Sequence, residues 1–356
     1  MSEHNEETMF LSEMVETGSM MVEPVSQVMD LTDTTRFMKL DSEHSFGIQL
    51  SGLASQIPSV ASSVSMNGMY TLRFPNGVTG ALTQLKQGGY STALKGPNGQ
   101  FSGTASLFKA SMFSAVFGAI SVMAVVSGQY FLSQINSELK VINQKIDKIL
   151  GFLYGDKKAE LLSEICFIKR AIRDYTSVMG HDSQITATLI SIQQSEKVAM
   201  KDIEFYLQDL LNTVKTELKG SAEVNNTVDV SLQICESLNA SLQLYIMSCI
   251  LEVYYSQNTD KKFVQFLKED LSLFVEKCNN RITACISQLK GKVESYTARI
   301  DKVDKEPILK RLTDVTDALQ EEKTAELKKS ISAALDAISK EVTFIVSNGE
   351  VYYKTA

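Results

Sequence analysis

Hydrophobic and polar positions alternate with different periods along this 356-residue chain, and the periods divide it into regions. Met69-Tyr70-Thr71-Leu72-Arg73-Phe74 has the two-residue alternation of a strand and runs into Pro75-Asn76-Gly77, a turn signal because Asn and Gly tolerate positive φ. Val78 to Gln87 reads as a short helix. Tyr90–Leu94 and Phe101–Leu107 read as two strands around Gly96-Pro97-Asn98-Gly99. From Ala110 to Leu132 the chain is apolar without a polar face. From Leu132 onward the spacing becomes heptad: Leu132, Ile135, Leu139, Ile142, Ile146, Ile149 and Leu153 form a coiled-coil seam. A second seam runs Ile282, Ile286, Leu289, Val293, Tyr296, Ile300, Val303. No proline occurs between Asn98 and Glu306, which favours long helices; these are expected near 106–154, 157–179, 183–219, 222–256, 260–302 and 308–341. Gly180 and Gly220 fit helix C-termini, and Asp182 or Ser183 fits the cap of the following helix. Near the C-terminus, Val342–Val346 and Glu350–Tyr353 flank Ser347-Asn348-Gly349, a strong hairpin signal.

These patterns predict a mainly α protein: an elongated bundle of long helices with a small β-containing head. Residues near 69–107 and a C-terminal hairpin near 342–353 form that head. An isolated hairpin is marginally stable, so it is expected to pair with the strands near 69–74 and 90–107. Five regions follow: an acidic arm (1–43), a Gly-rich β-containing unit (44–109), the apolar helix (110–132), the long-helix bundle and coiled coil (133–341), and the hairpin (342–356).

Charge sharpens this division. Residues 1–43 hold ten acidic and two basic residues, whereas residues 44–137 hold no Asp or Glu and only Arg73, Lys86, Lys95 and Lys109 as formal charges. Such a stretch is unusual for a water-facing surface, because a carboxylate is unfavourable both in hydrocarbon and against anionic lipid. The acidic arm reads as a flexible segment; the sharper alternative is that it covers the cationic region after it. The net charge of −7 excludes a general nucleic-acid binder, which needs clustered Lys and Arg for phosphate contacts.

The apolar segment is about long enough for the ~30 Å hydrocarbon layer of a bilayer. Phe113, Val116, Phe117, Ile120, Val122, Met123, Val125 and Val126 are its candidate membrane-inserting residues. Ser114 with Gly118, and Ala115 with Ala119, form small-residue rows at four-residue spacing, which let helix backbones approach closely. Four serines, two glycines and a glutamine interrupt the segment, so its hydrophobicity is moderate. That suits a segment shielded in one state and inserted in another, and a buried core helix has the same composition. The candidate coiled-coil residues downstream are Ile135, Leu139, Ile142, Ile146, Ile149 and Leu153. Lys95 and Lys109 on one side and Lys140, Lys145 and Lys148 on the other do not orient the segment in a membrane.

Candidate chemistry is sparse. His4, His44 and His181 are the only histidines, and none has the spacing of a metal site. No GxSxG, P-loop or GxGxxG motif occurs, and the carboxylates of 138–356 read as solvated helix faces. No enzyme activity, cofactor or metal is expected. The five cysteines, Cys166, Cys235, Cys249, Cys278 and Cys285, form no CxxC pair and read as small apolar residues in a reducing compartment. The N-terminus lacks the basic and apolar regions of a secretory signal. The expected location is therefore the cytoplasm or a membrane surface, with any export by a signal-independent route.

The order of neutral β unit, uncharged helix and charged coiled coil, carried by Ser127-Gly128-Gln129-Tyr130-Phe131-Leu132 running into Ile135-Asn136-Ser137-Glu138-Leu139, resembles a group of largely uncharacterised bacterial proteins over residues 69–165. That resemblance implies no function. More loosely, the architecture resembles the α-helical pore-forming toxins, although here the long helices follow the apolar segment instead of flanking it. The resemblance implies a membrane-active protein, with a lipid membrane and either a second copy or a second protein component as partners. A soluble coiled-coil scaffold with 110–132 as its core, and a constitutively anchored bacterial membrane protein, are the alternatives.

Overall fold

The computed structural model describes residues 3–40, 47–79, 81, 92–95, 101–105, 114–138, 155–179, 181–258, 260–297, 303–319 and 321–355. It is mainly helical, with long helices and a five-stranded antiparallel sheet built from the two terminal regions. The chain divides into two compact units, Met1–Phe131 with Asp336–Ala356, and Leu132–Leu335.

The first unit contains α1 (Glu3–Glu16), β1 (Met21–Pro24), β2 (Phe37–Lys39), α2 (Gly47–Val60), β3 (Met69–Phe74), β4 (Thr92–Lys95) and β5 (Phe101–Ala105). It also contains most of α3 (Ser114–Glu138) and, at the chain's end, β6 (Val342–Ser347) and β7 (Glu350–Lys354). The sheet order is β1-β3-β6-β7-β2. The hairpin β6–β7 turns at Asn348 and Gly349, whose φ values of 53° and 80° suit a tight two-residue hairpin loop. The expected pairing of this hairpin with residues 69–74 is present: β6 runs antiparallel to β3 from Phe74↔Val342 to Met69↔Ser347. The strands near 90–107 do not join it; β4 and β5 pair only with each other in a separate two-stranded sheet. Gly77 follows β3 at φ +70°, where a Cβ would lie 2.6 Å from the Ile338 carbonyl oxygen. Only glycine allows both the left-handed turn and that close approach.

Alternation along the strands gives the sheet two unlike faces. Tyr70, Leu72, Phe74, Val342, Phe344, Val346, Val351 and Tyr353 are buried on one face, against which α2 packs through Leu50, Leu53 and Ile57. Helix α1 packs on α2 in turn, burying Leu11 and Met14. On the other face, Val25, Phe37, Met69 and Ile345 form a small apolar cluster beside Met29, Leu31 and Tyr352. Charged pairs surround it: Arg73 meets Glu23 at 3.3 Å and Glu341 at 3.6 Å, and Lys39 meets Glu350 at 2.5 Å.

The acidic arm is therefore part of the fold. It supplies α1 and two edge strands, and its Glu23 pairs with Arg73 of the carboxylate-free region across β1 and β3.

The second unit is a helical bundle: α4 (Gly155–Arg173), the single turn α5 (Tyr175–Val178), α6 (Asp182–Lys215), α7 (Ser221–Ser256), α8 (Lys261–Ser295), α9 (Lys305–Ala318) and α10 (Glu321–Ala337). Helices α6, α7 and α8 have 34, 36 and 35 residues, about 51–54 Å each at 1.5 Å per residue. The helix expected over 308–341 is two helices, α9 ending at Ala318 and α10 starting at Glu321. Gly220 occupies the N-cap of α7 rather than a C-terminus, and His181 precedes α6 at its N-cap with Asp182 already in the first turn. Gly180 lies outside the described residues. Asp260 caps α8 by accepting from the backbone N–H groups of Lys262 and Phe263 at 3.0 and 2.9 Å.

Helix α7 is the core of the bundle. Its buried residues include Ile234, Leu238, Leu242, Leu244, Ile246, Ile250, Leu251, Val253, Tyr254 and Tyr255, each worth about 1.5–3 kcal/mol for an aliphatic side chain taken fully from water. Three buried tyrosines join helices through backbone carbonyls. Tyr175 donates to Tyr254 O at 3.1 Å, Tyr255 to Ala171 O at 2.8 Å, and Tyr254 to Ala334 O at 3.2 Å. The Tyr175 and Tyr255 rings meet edge to face, with centroids 5.1 Å apart. In the second heptad seam, Ile282, Ile286, Leu289 and Val293 are buried on α8, and Tyr296 caps the helix end. All five cysteines are free thiols, and Cys249, Cys278 and Cys285 are buried.

Candidate functional site

The apolar helix α3 carries no charged residue from Ser114 to Ser137; Glu138 is its first. Branched and small residues fill it, and no proline interrupts it, so its backbone groups are paired within the helix. Side chains are described from Ala119 to Leu132, nearly four turns. All of these are buried or half-buried, and none is exposed. Ala119, Ile120, Met123 and Leu132 are fully buried, Val122, Ala124, Ser127 and Phe131 nearly so, and Ser121, Val125, Val126, Gln129 and Tyr130 are half-buried. A surface helix shows a polar stripe, whereas a helix apolar all round belongs in a core or in lipid. The Ser127 hydroxyl donates to the Ala124 carbonyl at 2.9 Å, which satisfies that group within the helix.

The C-terminal part of the segment is tied to the sheet. The Tyr130 hydroxyl donates to the Thr355 carbonyl at 2.8 Å, and its ring lies 5.1 Å from that of Tyr353. Tyr353 in turn meets Phe344 at 5.2 Å, and Phe344 meets Phe74 edge to face at 6.0 Å. A chain of rings thus runs from the apolar helix through β7 and β6 to β3. Burial, with a smaller contribution from Tyr130, raises the Tyr353 phenol well above its ordinary range, so it stays neutral. Thr355 is itself fixed on its other side: its N–H donates to Arg36 O at 2.9 Å and its hydroxyl to Thr35 O at 3.0 Å.

Of the candidate inserting residues, Ile120, Val122, Met123, Val125 and Val126 thus lie together in a shielded stretch. Val116 and Phe117, and the small residues Ser114, Ala115 and Gly118, lie in α3 but outside the described side chains, as does Ile135; Ala119 is fully buried. Phe113 and the rest of 110–113 lie outside the described residues, as do the seam positions Leu139, Ile142, Ile146, Ile149 and Leu153.

Two features went unmarked in the sequence. Among the described residues, α7 is the helix long and apolar enough to cross a membrane, and 78% of its apolar window is buried within the protein. Its serines were the readable sign: Ser231 and Ser241 donate to the carbonyls of Thr227 and Ser237, a pattern that hides polar groups inside a packed interior. The other feature is a polar cluster on α6. Asp202 is fully buried and pairs with Lys157 of α4, whose ammonium also meets Glu160 and lies 5.7 Å from the centre of the Phe205 ring. Burial raises the Asp202 carboxyl, and the Lys157 contact opposes that shift. The Glu164 carboxylate of α4 accepts from the Ser195 hydroxyl.

Among the described residues, no group of three or more His, Cys, Asp or Glu is placed to hold a metal ion. His181 is exposed at the start of α6, His4 lies in α1, and His44 lies outside the described residues. Compared with known proteins, the chain matches no family model, no curated protein and no solved structure.

Proposed function

We propose that this protein is membrane-active, of the pore-forming or membrane-disrupting class, with segment 110–132 as the part that enters the bilayer. The observation that supports this reading is α3 itself: a helix without charge from Ser114 to Ser137 and without an exposed described side chain. Such a helix satisfies its own backbone and has no solvent face to desolvate, so a bilayer is a second environment it tolerates. In the folded state its described side chains, Ala119 to Leu132, are shielded, and the Tyr130 hydroxyl ties that stretch to Thr355. Insertion then requires that tie to break. Its partners in this reading are lipid and a second copy or a second protein component.

A second reading, a soluble coiled-coil scaffold, is favoured by the complete burial of Ile120 and Met123. Both are tested by flotation and dye leakage with anionic liposomes, comparing wild type with Ala119→Asp plus Val122→Asp. Each Asp near a helix centre opposes insertion by about 2.5–3.5 kcal/mol on translocon scales. Circular dichroism must show that the variant folds. Flotation with leakage, both lost in a folded variant, is the expected result. Flotation without leakage indicates a constitutive anchor. A folded wild type that neither floats nor leaks, even after mild acid or limited proteolysis, supports the scaffold.

A further inference from the structure

Residues of the acidic arm hold the strand that in turn holds the apolar helix. Asp33 opens a tight turn. Its side chain accepts from the Thr35 N–H at 3.0 Å, and its carbonyl accepts from the N–H groups of Arg36 and Phe37 at 3.1 and 2.9 Å. The turn leads into β2, which pairs with β7 over Phe37↔Lys354, Met38↔Tyr353 and Lys39↔Tyr352. It also presents the Thr35 and Arg36 carbonyls to Thr355, whose hydroxyl and N–H donate to them at 3.0 and 2.9 Å. On the other side of β7, the pairing with β6 runs from Ser347↔Glu350 to Phe344↔Tyr353 and stops. Lys354 and Thr355 thus extend past the β6 register, alongside Phe37 and Arg36.

Thr355 faces both ways. Its carbonyl accepts from the Tyr130 hydroxyl of α3 at 2.8 Å, while its N–H and hydroxyl are engaged by the arm. Tyr353, two residues earlier, carries the ring that meets Tyr130 at 5.1 Å and lies opposite Met38 of β2. All of these residues belong to the first compact unit. Within this chain of contacts β2 is the weakest element. It has three residues at the edge of the sheet, of which Phe37 is buried and Met38 and Lys39 are exposed. Its ion pair, Lys39 with Glu350, is also exposed and contributes little. The centre of the sheet, by contrast, is held by six β3–β6 pairs. Edges open at far lower free energy than core strands, so β2 can part from β7 while β3 and β6 stay paired.

We propose that β2 of the acidic arm is an autoinhibitory clasp: by fixing β7 and Thr355 it keeps α3 in its shielded position, and parting β2 from β7 releases the apolar helix. The clasp deepens, and rests on, the reading of 110–132 as the inserting segment. It gives the arm a role carried by backbone pairing instead of by its negative charge. It also makes the arm the place where a cut or a competing strand would act.

The test loosens and locks the clasp in the full chain and reads α3 by hydrogen exchange without lipid. Thr355→Pro removes both the N–H and the hydroxyl that meet the arm and keeps the carbonyl that meets Tyr130. Exchange within 119–132 should then speed up by roughly five- to thirtyfold, the worth of the two lost bonds. The lock is Lys39→Cys with Tyr352→Cys, a directly opposed pair whose spacing suits a disulfide. Peptide mapping must show that this bond has formed, because Cys166 is an exposed thiol. The oxidised form should exchange more slowly within 119–132 than its own reduced form, a comparison that holds even if Thr355→Pro fails to fold. Unchanged exchange in a folded Thr355→Pro, or equal exchange in the two redox forms, overturns the clasp. Flotation with anionic liposomes separates the clasp from the membrane reading. Both are supported if the reduced form floats more than the oxidised one. Exchange that responds as expected, with no flotation of any form, leaves the clasp standing and removes the membrane reading.

Discussion

Two helices of this protein are apolar enough to raise the question of a membrane, and they answer it differently. Helix α7 has the length and the hydropathy, yet it carries Glu223, Asp229, Glu236 and Glu252 and sits as the core of a helical bundle. Its exposed positions include Asn225, Asn226 and Asn239, its buried serines bond to their own helix, and its tyrosines reach neighbouring helices. Helix α3 is the more hydrophobic of the two per residue despite its Ser, Gly and Ala, and it carries no charge from Ser114 to Ser137. Hydropathy alone does not set α7 above α3. The absence of any exposed side chain among those described selects α3. What admits a helix to lipid is the lack of groups that must be desolvated, and one carboxylate outweighs several leucines.

The comparison can be broken most forcefully in α7. Ile250 is fully buried there. Ile250→Asp places an unpaired carboxylate in the bundle core and should cost more than about 4 kcal/mol, enough to unfold the unit. Far-ultraviolet circular dichroism should show a large loss of helix. If the variant remains folded and instead loses liposome flotation, α7 and α3 have exchanged roles.

A smaller change sharpens the α3 side. Tyr130→Phe keeps the ring against Tyr353 and removes the hydrogen bond to Thr355, a loss of about 1 kcal/mol. The thermal midpoint should fall slightly, and liposome flotation should increase because the shielded state is favoured less. Unchanged flotation with a lowered midpoint would mean that the tie to Thr355 serves stability alone.

Much of the helical half was legible. The proline-free stretch and the spacing of Ile282, Ile286, Leu289 and Val293 anticipate α8 and its buried face, and the boundaries of α6, α7 and α8 fall near those expected. Asn348-Gly349 anticipates the hairpin because few residue pairs accept positive φ at both positions. The edge strands β1 and β2 were not legible. They are four and three residues long, carry Glu23, Pro24 and Lys39, and are fixed by partners about 50 and 315 residues away rather than by local pattern. Helix α2 was missed in a Gly-rich setting; Pro58 falls in its last turn, where it ends the helix instead of breaking it. For the site, uniform apolarity marked α3, but its tie through Tyr130 to Thr355 joins residues 225 apart and had no local sign.

The central claim, that α3 and not α7 meets lipid, is tested most directly by photolabelling. Liposomes carrying a photoactivatable acyl chain would be mixed with the full chain and irradiated, and labelled peptides mapped by mass spectrometry. The account predicts label within 114–132 and none within 221–256. Label concentrated in 221–256, or none in either helix of a folded protein bound to the vesicles, would contradict it.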